Sequence, residues 1–345
     1  MLYRAARPVL FAFEPETAHR LAFQSLECLD RFGAAALLAT PAPRLPVRVM
    51  GLDFPNPVGL AAGLDKNGEH VDALARLGFG FLEIGAVTLR PQPGNPRPRI
   101  FRLPAGEALI NRMGFNSAGA EQVSRNLGTS RFRGIVGINI GRNFDTPNER
   151  APGEYAACLE KVYPHASFFT ANVSSPNTKA LRDLQGAAEI DALLARLVAE
   201  RDRLAARHGR RAPLAVKVSP DLDDAGIAAI ADRVVARGID AVIATNTTVS
   251  RDGVAHLRGA EQAGGLSGPP LRARSTEVVA KFRRALPARV AIIGVGGIAG
   301  ARDAREKLDA GADLVQLYTA LLYRGPGLAG EIVRGLAADG WKPRA

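Results

Sequence analysis

Residues 170–186, T-A-N-V-S-S-P-N-T-K-A-L-R-D-L-Q-G, leave an apolar, β-branched run and open into a loop of hydroxyls and amides. Asn172, Ser174, Ser175, Asn177 and Thr178 surround a stiffening Pro176, and no His, Glu or Asp follows until Asp183. Other residues suited to chemistry also follow apolar runs. Lys66 stands in AAGLDKNG and Lys217 in AVKVSP. A Lys in such a run is costly to bury without a partner, so each reads as a fixed positive charge at a strand end. One would face a carboxylate substrate, the other an electron-rich cofactor ring. Asn111, Asn139, Asn172, Asn177 and Asn246 add five amides. A lone Asn at a strand end is usually a local cap. Five together can pair with a flat heterocycle bearing amide groups, such as a pyrimidinedione, and reject analogues that leave them unpaired. The glycine loops LSGPPL (266–271), GVGGI (294–298) and LYTALLYRGPG (317–327) offer backbone N–H groups near helix starts. Singly they are turns; together they point to a phosphate-bearing cofactor. His19 and His165 are isolated, and His70 and His208 lack a Glu-x-x-His partner, so no metal site is expected.

The elements that must position these groups form a rhythm. Apolar runs occur at 58–63, 81–87, 135–140, 168–174, 214–219, 241–247, 291–297 and 314–320. Most are continuous rather than alternating, as strands covered on both faces should be. Helix-period segments such as DDAGIAAIADRVVARG and ARDAREKLDAG lie between them. Eight such units predict an α/β fold, a (β/α)8 TIM barrel, with catalytic groups at the C-terminal ends of the strands. A doubly wound sheet fits less well, because no strand-G-x-G-x-x-G opens the chain. Those ends read Lys66, Thr88, Asn139, Asn172 to Asn177, Lys217, Thr245 to Thr247, Gly296-Gly297 and Tyr318-Thr319. Residues 1–40 stand outside the rhythm as a small helical extension, with His19, Phe23 and Leu26 on one apolar face, and PAPRLP (41–46) reads as a linker.

At 345 residues, 47% hydrophobic and 23% charged, the chain is a folded protein with a sizeable core. Its charge of +11 comes mostly from Arg without a dense basic run, which reads as a solvated surface. Two distant cysteines, Cys28 and Cys158, argue against a disulfide framework or zinc site and fit a reducing compartment. No apolar stretch is long enough to span a bilayer, and Glu14 and Glu16 make the start a poor signal peptide.

AAGLDKNG, EIGAVTLRPQPGNPRPRIFRL, NRMGFNSAG, NVSSPNTKALRDLQ, KVSPDL, ATNTT, GGLSGPPL, GVGGI and QLYTALLYRGPG resemble, in order, the signatures of dihydroorotate dehydrogenase. The resemblance covers nearly the whole chain. It implies one FMN per chain and oxidation of (S)-dihydroorotate to orotate in pyrimidine biosynthesis. It places Ala62, Gly63, Lys66, Asn139, Asn172, Lys217 and Thr245 at the flavin, with Gly268, Gly297, Tyr318 and Thr319 near its phosphate end. Ala86 stands at a flavin position where many relatives carry Thr. Substrate would be held by Lys66, Asn111, Arg112, Met113, Gly114, Phe115, Asn172, Asn177, Asn246 and Thr247.

Ser175 falls at the family's catalytic base, which takes the C5 proton while the flavin accepts hydride from C6. Closure of residues 175–185 would exclude water, and Thr178 or an ordered water would carry the proton away. Ser rather than Cys here, together with the helical extension, implies the membrane-associated, quinone-reducing branch. The division implied is 1–40 as a membrane and quinone-tunnel extension and 41–345 as the FMN-binding barrel. His19 and Arg102 match positions near the quinone head group, with ubiquinone and menaquinone both open. A monomer, held peripherally on the cytoplasmic side of the inner membrane and binding no nucleic acid, is expected. The alternative of a tRNA-dihydrouridine synthase would want a Cys acid at a strand end, where neither cysteine lies. A non-redox isomerase or aldolase barrel would carry no flavin.

Overall fold

A computed structural model of the chain describes residues 2–344. Strands β1 (Val58–Leu60), β2 (Phe81–Val87), β3 (Ile135–Ile140), β4 (Phe168–Asn172), β5 (Leu214–Val218), β6 (Ala241–Ala244), β7 (Ala291–Val295) and β8 (Leu314–Leu317) form one closed parallel barrel. The ring closes where Val315, Gln316 and Leu317 pair with Val58, Gly59 and Leu60. Every residue of β2, β4, β5, β6, β7 and β8 is buried, with helices outside and side chains within. That two-sided cover explains their unbroken apolar runs.

Each predicted run holds one strand, yet several outlast it. The run at 58–63 pairs only to Leu60, and that at 241–247 only to Ala244. The surplus residues leave the ladder and turn into the barrel mouth. Lys66 is therefore not at the end of β1 but six residues beyond Leu60, in the following loop. Lys217 lies inside β5, beside Asn172 of β4 in the register. The connecting helices start as their sequences suggest. Helix Asp224–Ala236 is capped by Asp223, whose carboxylate accepts from Gly226 N–H at 2.8 Å.

A three-stranded antiparallel sheet of Ile100–Leu103, Ala108–Asn111 and Gly265–Ser267 stands beside the barrel and was not foreseen. Its strands are three or four residues long, and Ser267 pairs with Leu109 across 158 positions of the chain. No local period reveals such a partnership. Its middle strand ends at Asn111, which fixes the start of the NRMGFN segment.

Helices α1 (Leu2–Ala12) and α2 (Pro15–Arg31) and a 3-10 turn at Ala35–Leu38 precede the barrel. Glu14 caps α2 by accepting from Thr17 N–H at 2.9 Å, and Pro15 occupies the first turn. Ala18, Phe23 and Leu26 form its buried face. Glu16 pairs with Arg99 at 2.5 Å and Glu27 with His70 at 2.7 Å, while Phe23 stacks on His70 at 4.0 Å. Arg102 donates to the carbonyls of Phe11 and Phe13 and lies 4.6 Å over the Phe11 ring, so it ties the end of α1 to the sheet. Among the described residues no helix is long and apolar enough to cross a membrane.

Candidate active site

One cavity opens where the strands end, with about 1200 Å³ of non-atom space, part of it open to solvent. The loop after β1 contributes Ala62, Gly63 and Lys66, and β2 contributes Ala86 near its end. Asn172, Ser175 and Asn177 come from the end of β4 and its loop, Lys217 from β5, and Thr245, Asn246 and Thr247 from the loop after β6. Gly268, Gly297, Tyr318 and Thr319 also line the wall, as do Asn111, Met113, Gly114 and Phe115 next to the small sheet.

Four predicted residues do otherwise. Arg112 points away: its guanidinium lies 4.6 Å over Phe101 and donates to Gln262 Oε1 at 3.2 Å. Only its carbonyl is tied inward, accepting from Asn95 Nδ2 at 2.9 Å. Asn139 sits beneath the cavity floor, fully buried. Arg102 holds α1 and His19 lies on α2, outside this cavity.

The floor is organised by Glu83, a fully buried carboxylate in β2 that the motif reading passed over. A carboxylate only accepts hydrogen bonds. Asn139 Nδ2 donates to Glu83 Oε1 at 2.9 Å and Gln316 Nε2 to Oε2 at 2.6 Å. With its NH2 committed, Asn139 offers Oδ1 to Asn172 Nδ2 at 2.9 Å, and Asn172 offers its own Oδ1 to Asn246 Nδ2 at 3.3 Å. One charge thus sets the direction of successive amides, each polarised by the one before. Tyr155 Oη donates to the Asn172 carbonyl at 2.7 Å, locking the strand end. The signal was available: Glu83 is the one charged residue in FLEIGAV, a run otherwise fit only for a core.

Gln316 obeys the same logic. Its NH2 faces Glu83, so its Oε1 stays buried in the cavity wall with no partner among the described residues. An amide oxygen can only accept a hydrogen bond, so this one faces the cavity as a free acceptor among the described residues. Lys217 is also buried in the cavity wall; burial pulls its ammonium below the usual lysine range, opposed by the charge of Glu83. Lys66 is pulled down to about 8, first by burial and then by Arg99, with Glu16 and Asp65 opposing. His19 falls to about 4 through burial and the nearby charges of Lys66 and His70. It is a neutral imidazole at physiological pH.

On the other side, Ser175 Oγ accepts from Asn177 N–H at 3.3 Å. Asn177 Nδ2 reaches Asn111 Oδ1 at 3.3 Å, and Asn95 Nδ2 holds the Asn177 carbonyl at 3.1 Å. Gln92 Nε2 holds the carbonyls of Gly114 and Phe115 at 3.1 and 2.9 Å. Asn95 and Gln92 thus position the predicted substrate residues without lining the cavity. Thr178 Oγ1 is buried close by in sequence and has no partner among the described residues. Ala86 brings no polar atom, and Thr88 does not replace one, because its hydroxyl donates to the Arg90 carbonyl at 2.7 Å. Cys28 and Cys158 are both free, and both lie in helices.

A family model for dihydroorotate dehydrogenase matches residues 44–339. The chain is 59% identical to a dihydroorotate dehydrogenase (quinone) of Aromatoleum aromaticum, over 97% of this chain and 95% of that one. It is 56% identical to another of the same name from Thiobacillus denitrificans, over 98% of this chain and 100% of the other. Its backbone superposes on the crystal structure of DHODH from Eimeria tenella in complex with ferulenol with a TM-score of 0.85 at 37% identity, covering 94% of this chain and 91% of that one. The chain belongs to the dihydroorotate dehydrogenase family, on the branch whose members are named for quinone.

Proposed function

We propose that this protein oxidises (S)-dihydroorotate to orotate with FMN as hydride acceptor and a membrane quinone as final acceptor, the fourth step of de novo pyrimidine (UMP) biosynthesis. The observation that carries this reading is the single cavity joining Ser175 and the Asn111–Asn177 pair to Lys217, the Gln316 acceptor and the glycine loops.

The residues fit the cofactor. Gly268 (φ +106) and Gly297 (φ +72) take left-handed backbone at the cavity wall, and a Cβ would stand 2.7 Å from the Glu107 carbonyl and 2.5 Å from Arg272 Cα, so only glycine lets these loops pack so closely there. Glycine backbone lining the wall suits a phosphate, which its N–H groups could hold. Gly268, Gly297, Tyr318 and Thr319 would hold that end. Ala62, Gly63, Ala86, Asn172, Lys217 and Thr245 would hold the ring, with Asn139 acting through Asn172. Bound FMN supplies the acceptor for the hydride from C6 of the substrate.

The protein's own groups do the rest. Asn111, Asn177, Asn246 and Thr247 orient the flat acid, and Lys66, mostly protonated at neutral pH, faces its carboxylate. Ser175 Oγ takes the C5 proton. A Ser hydroxyl is a weak base, so Oγ would take the C5 proton as its own hydroxyl proton leaves, no net charge building up on it, while the N–H of Asn177 holds the oxygen in place. Thr178 Oγ1, buried with no partner among the described residues, would carry that proton outward, directly or through a water.

Residues 1–40 would lead the quinone to the site, with His19 and Arg102 beside its head group. Val9, Phe13, Phe32 and Leu37 are 62, 44, 82 and 85% exposed, an apolar surface suited to peripheral contact on the cytoplasmic side of the inner membrane. The protein would act as a monomer. Anaerobic reduction by dihydroorotate, followed by reoxidation with quinone, fumarate or NAD, tests the scheme. Fast bleaching and preferential reoxidation by quinone are expected; preference for fumarate or NAD would refute it.

A further inference from the structure

Arg182 stands outside the cavity, in the 3-10 turn Leu181–Gln185 that ends the Ser175 loop. The turn is rooted in the core by buried Leu181 and Leu184, and Gln185 Oε1 accepts from Ser219 N–H at 2.9 Å. From that root the guanidinium reaches three separate segments. Nε donates to the Ser174 carbonyl at 3.1 Å, Nη2 to the Thr247 carbonyl at 3.0 Å, and Nη1 to Asp221 Oδ2 at 2.8 Å. Asp221 closes the circuit, accepting from Thr248 Oγ1 at 2.5 Å and Val249 N–H at 3.0 Å.

The Ser174 carbonyl belongs to the peptide whose nitrogen is that of Ser175. The Thr247 carbonyl belongs to the loop that presents Asn246 and Thr247. Ser174 Oγ also accepts from Asn246 Nδ2 at 3.0 Å, so the two segments meet directly. We propose that Arg182, oriented by Asp221, is a positioning residue for the oxidation: its planar fork fixes the base-bearing peptide against the loop that holds the substrate. The proposal rests on Ser175 being the base. The ion pair itself is partly solvated, with side chains 23 and 24% exposed, and adds little to stability. Its value is geometric, and Lys, with one point charge and no fork, reproduces only part of it.

The test uses the full-length flavoprotein as wild type, Arg182→Met, Arg182→Lys, Asp221→Asn and Ser175→Ala. Flavin bleaching by dihydroorotate is followed anaerobically in single turnovers, with substrate deuterated at C5 or at C6. Amide hydrogen exchange of residues 174–180 is measured in parallel. Arg182→Met is expected to slow bleaching per bound flavin about a hundredfold, the scale of a misplaced reacting group. Orotate affinity should stay within about threefold of wild type, the separation that marks a transition-state interaction. The C5 isotope effect should rise and exchange at 174–180 quicken, with Arg182→Lys and Asp221→Asn in between. Should Arg182→Met not fold, Arg182→Lys carries the same comparison. Bleaching and isotope effects unchanged in the Arg182 variants, with Ser175→Ala inactive, would overturn the positioning role and leave the base standing. Ser175→Ala bleaching at the wild-type rate would overturn both.

Discussion

At the barrel mouth Glu83, Asn139, Asn172 and Lys217 are almost fully buried, and each amide has its donor and acceptor ends assigned by a neighbour. The N-terminal helices instead leave Val9, Phe13, Phe32 and Leu37 in solvent and dock through the small buried face of Ala18, Phe23 and Leu26, the Arg102 hydrogen bonds, a few ion pairs and one aromatic stack. In the first region polar groups are removed from water and must satisfy one another, so one change propagates through several residues. In the second, apolar groups are left in water, and single changes should stay local. The mouth is therefore the place to look for large, coupled losses and the extension for small, separable ones.

Ser175→Ala is the most severe break. It removes the proposed base and, among the described residues, touches one hydrogen bond, that from Asn177 N–H. Turnover should fall by about 10² to 10⁴, the usual contribution of a positioned general base, with flavin absorbance retained. Loss of flavin along with activity would show instead that Ser175 supports the cofactor site.

Glu83→Gln tests whether one charge orders the floor. The variant offers an NH2 where Asn139 and Gln316 both donate, and it leaves Lys217 without the opposing charge. Setting buried donors against each other leaves hydrogen bonds unmade at about 1 to 3 kcal/mol each, which denaturant unfolding would register. The neighbouring amides should rotate as well, so flavin affinity should fall with stability. A variant as stable as wild type would mean that the amides choose their directions without Glu83.

These two residues also show what the sequence could and could not reveal. The eight strands were legible because burial on both faces leaves an unbroken apolar run that chance rarely repeats at even spacing. Ser175, Asn177 and the glycine loops were legible because polar residues gather where strands end. Arg112 was misplaced because a continuous motif does not say which of its side chains turn inward, and Phe101 draws this one outward. Lys66 was put at a strand end because pairing stops at Leu60 with no change in the apolar run. The small sheet and Asn95 act through partners distant in sequence, and no spacing rule announces them.

Lys66→Met probes a milder coupling at the edge between the two regions, since Glu16 of α2 contributes to the field at Lys66. Its folded value lies near 8 against an ordinary 10.5. Between these limits the unfolded chain binds more protons than the folded one, so wild-type stability gains from Lys66 as pH rises from about 8 to about 10.5. Below about 8 the ammonium is charged in both states and its burial is felt in full. Cofactor-free Lys66→Met should thus hold its greatest advantage over wild type at neutral pH and lose it across that interval. A difference that does not vary with pH would mean Lys66 titrates as in water.

The smallest effect belongs to the exposed apolar residues of the extension. Phe32 and Leu37 are 82 and 85% exposed, so Phe32→Ser with Leu37→Ser should change unfolding free energy by no more than about 0.5 kcal/mol per site. Bleaching by dihydroorotate should be unaltered, because neither residue approaches the cavity. Binding to lipid vesicles, followed by co-sedimentation, should weaken, since buried apolar area supplies most of the affinity of an interfacial helix. Residues 1–50 carry six Arg against four acidic residues, too little excess to hold the protein by charge alone. Undiminished sedimentation of the double variant would therefore move the lipid contact to Val9 and Phe13 on the first helix and its end, and would detach the second helix from the membrane role.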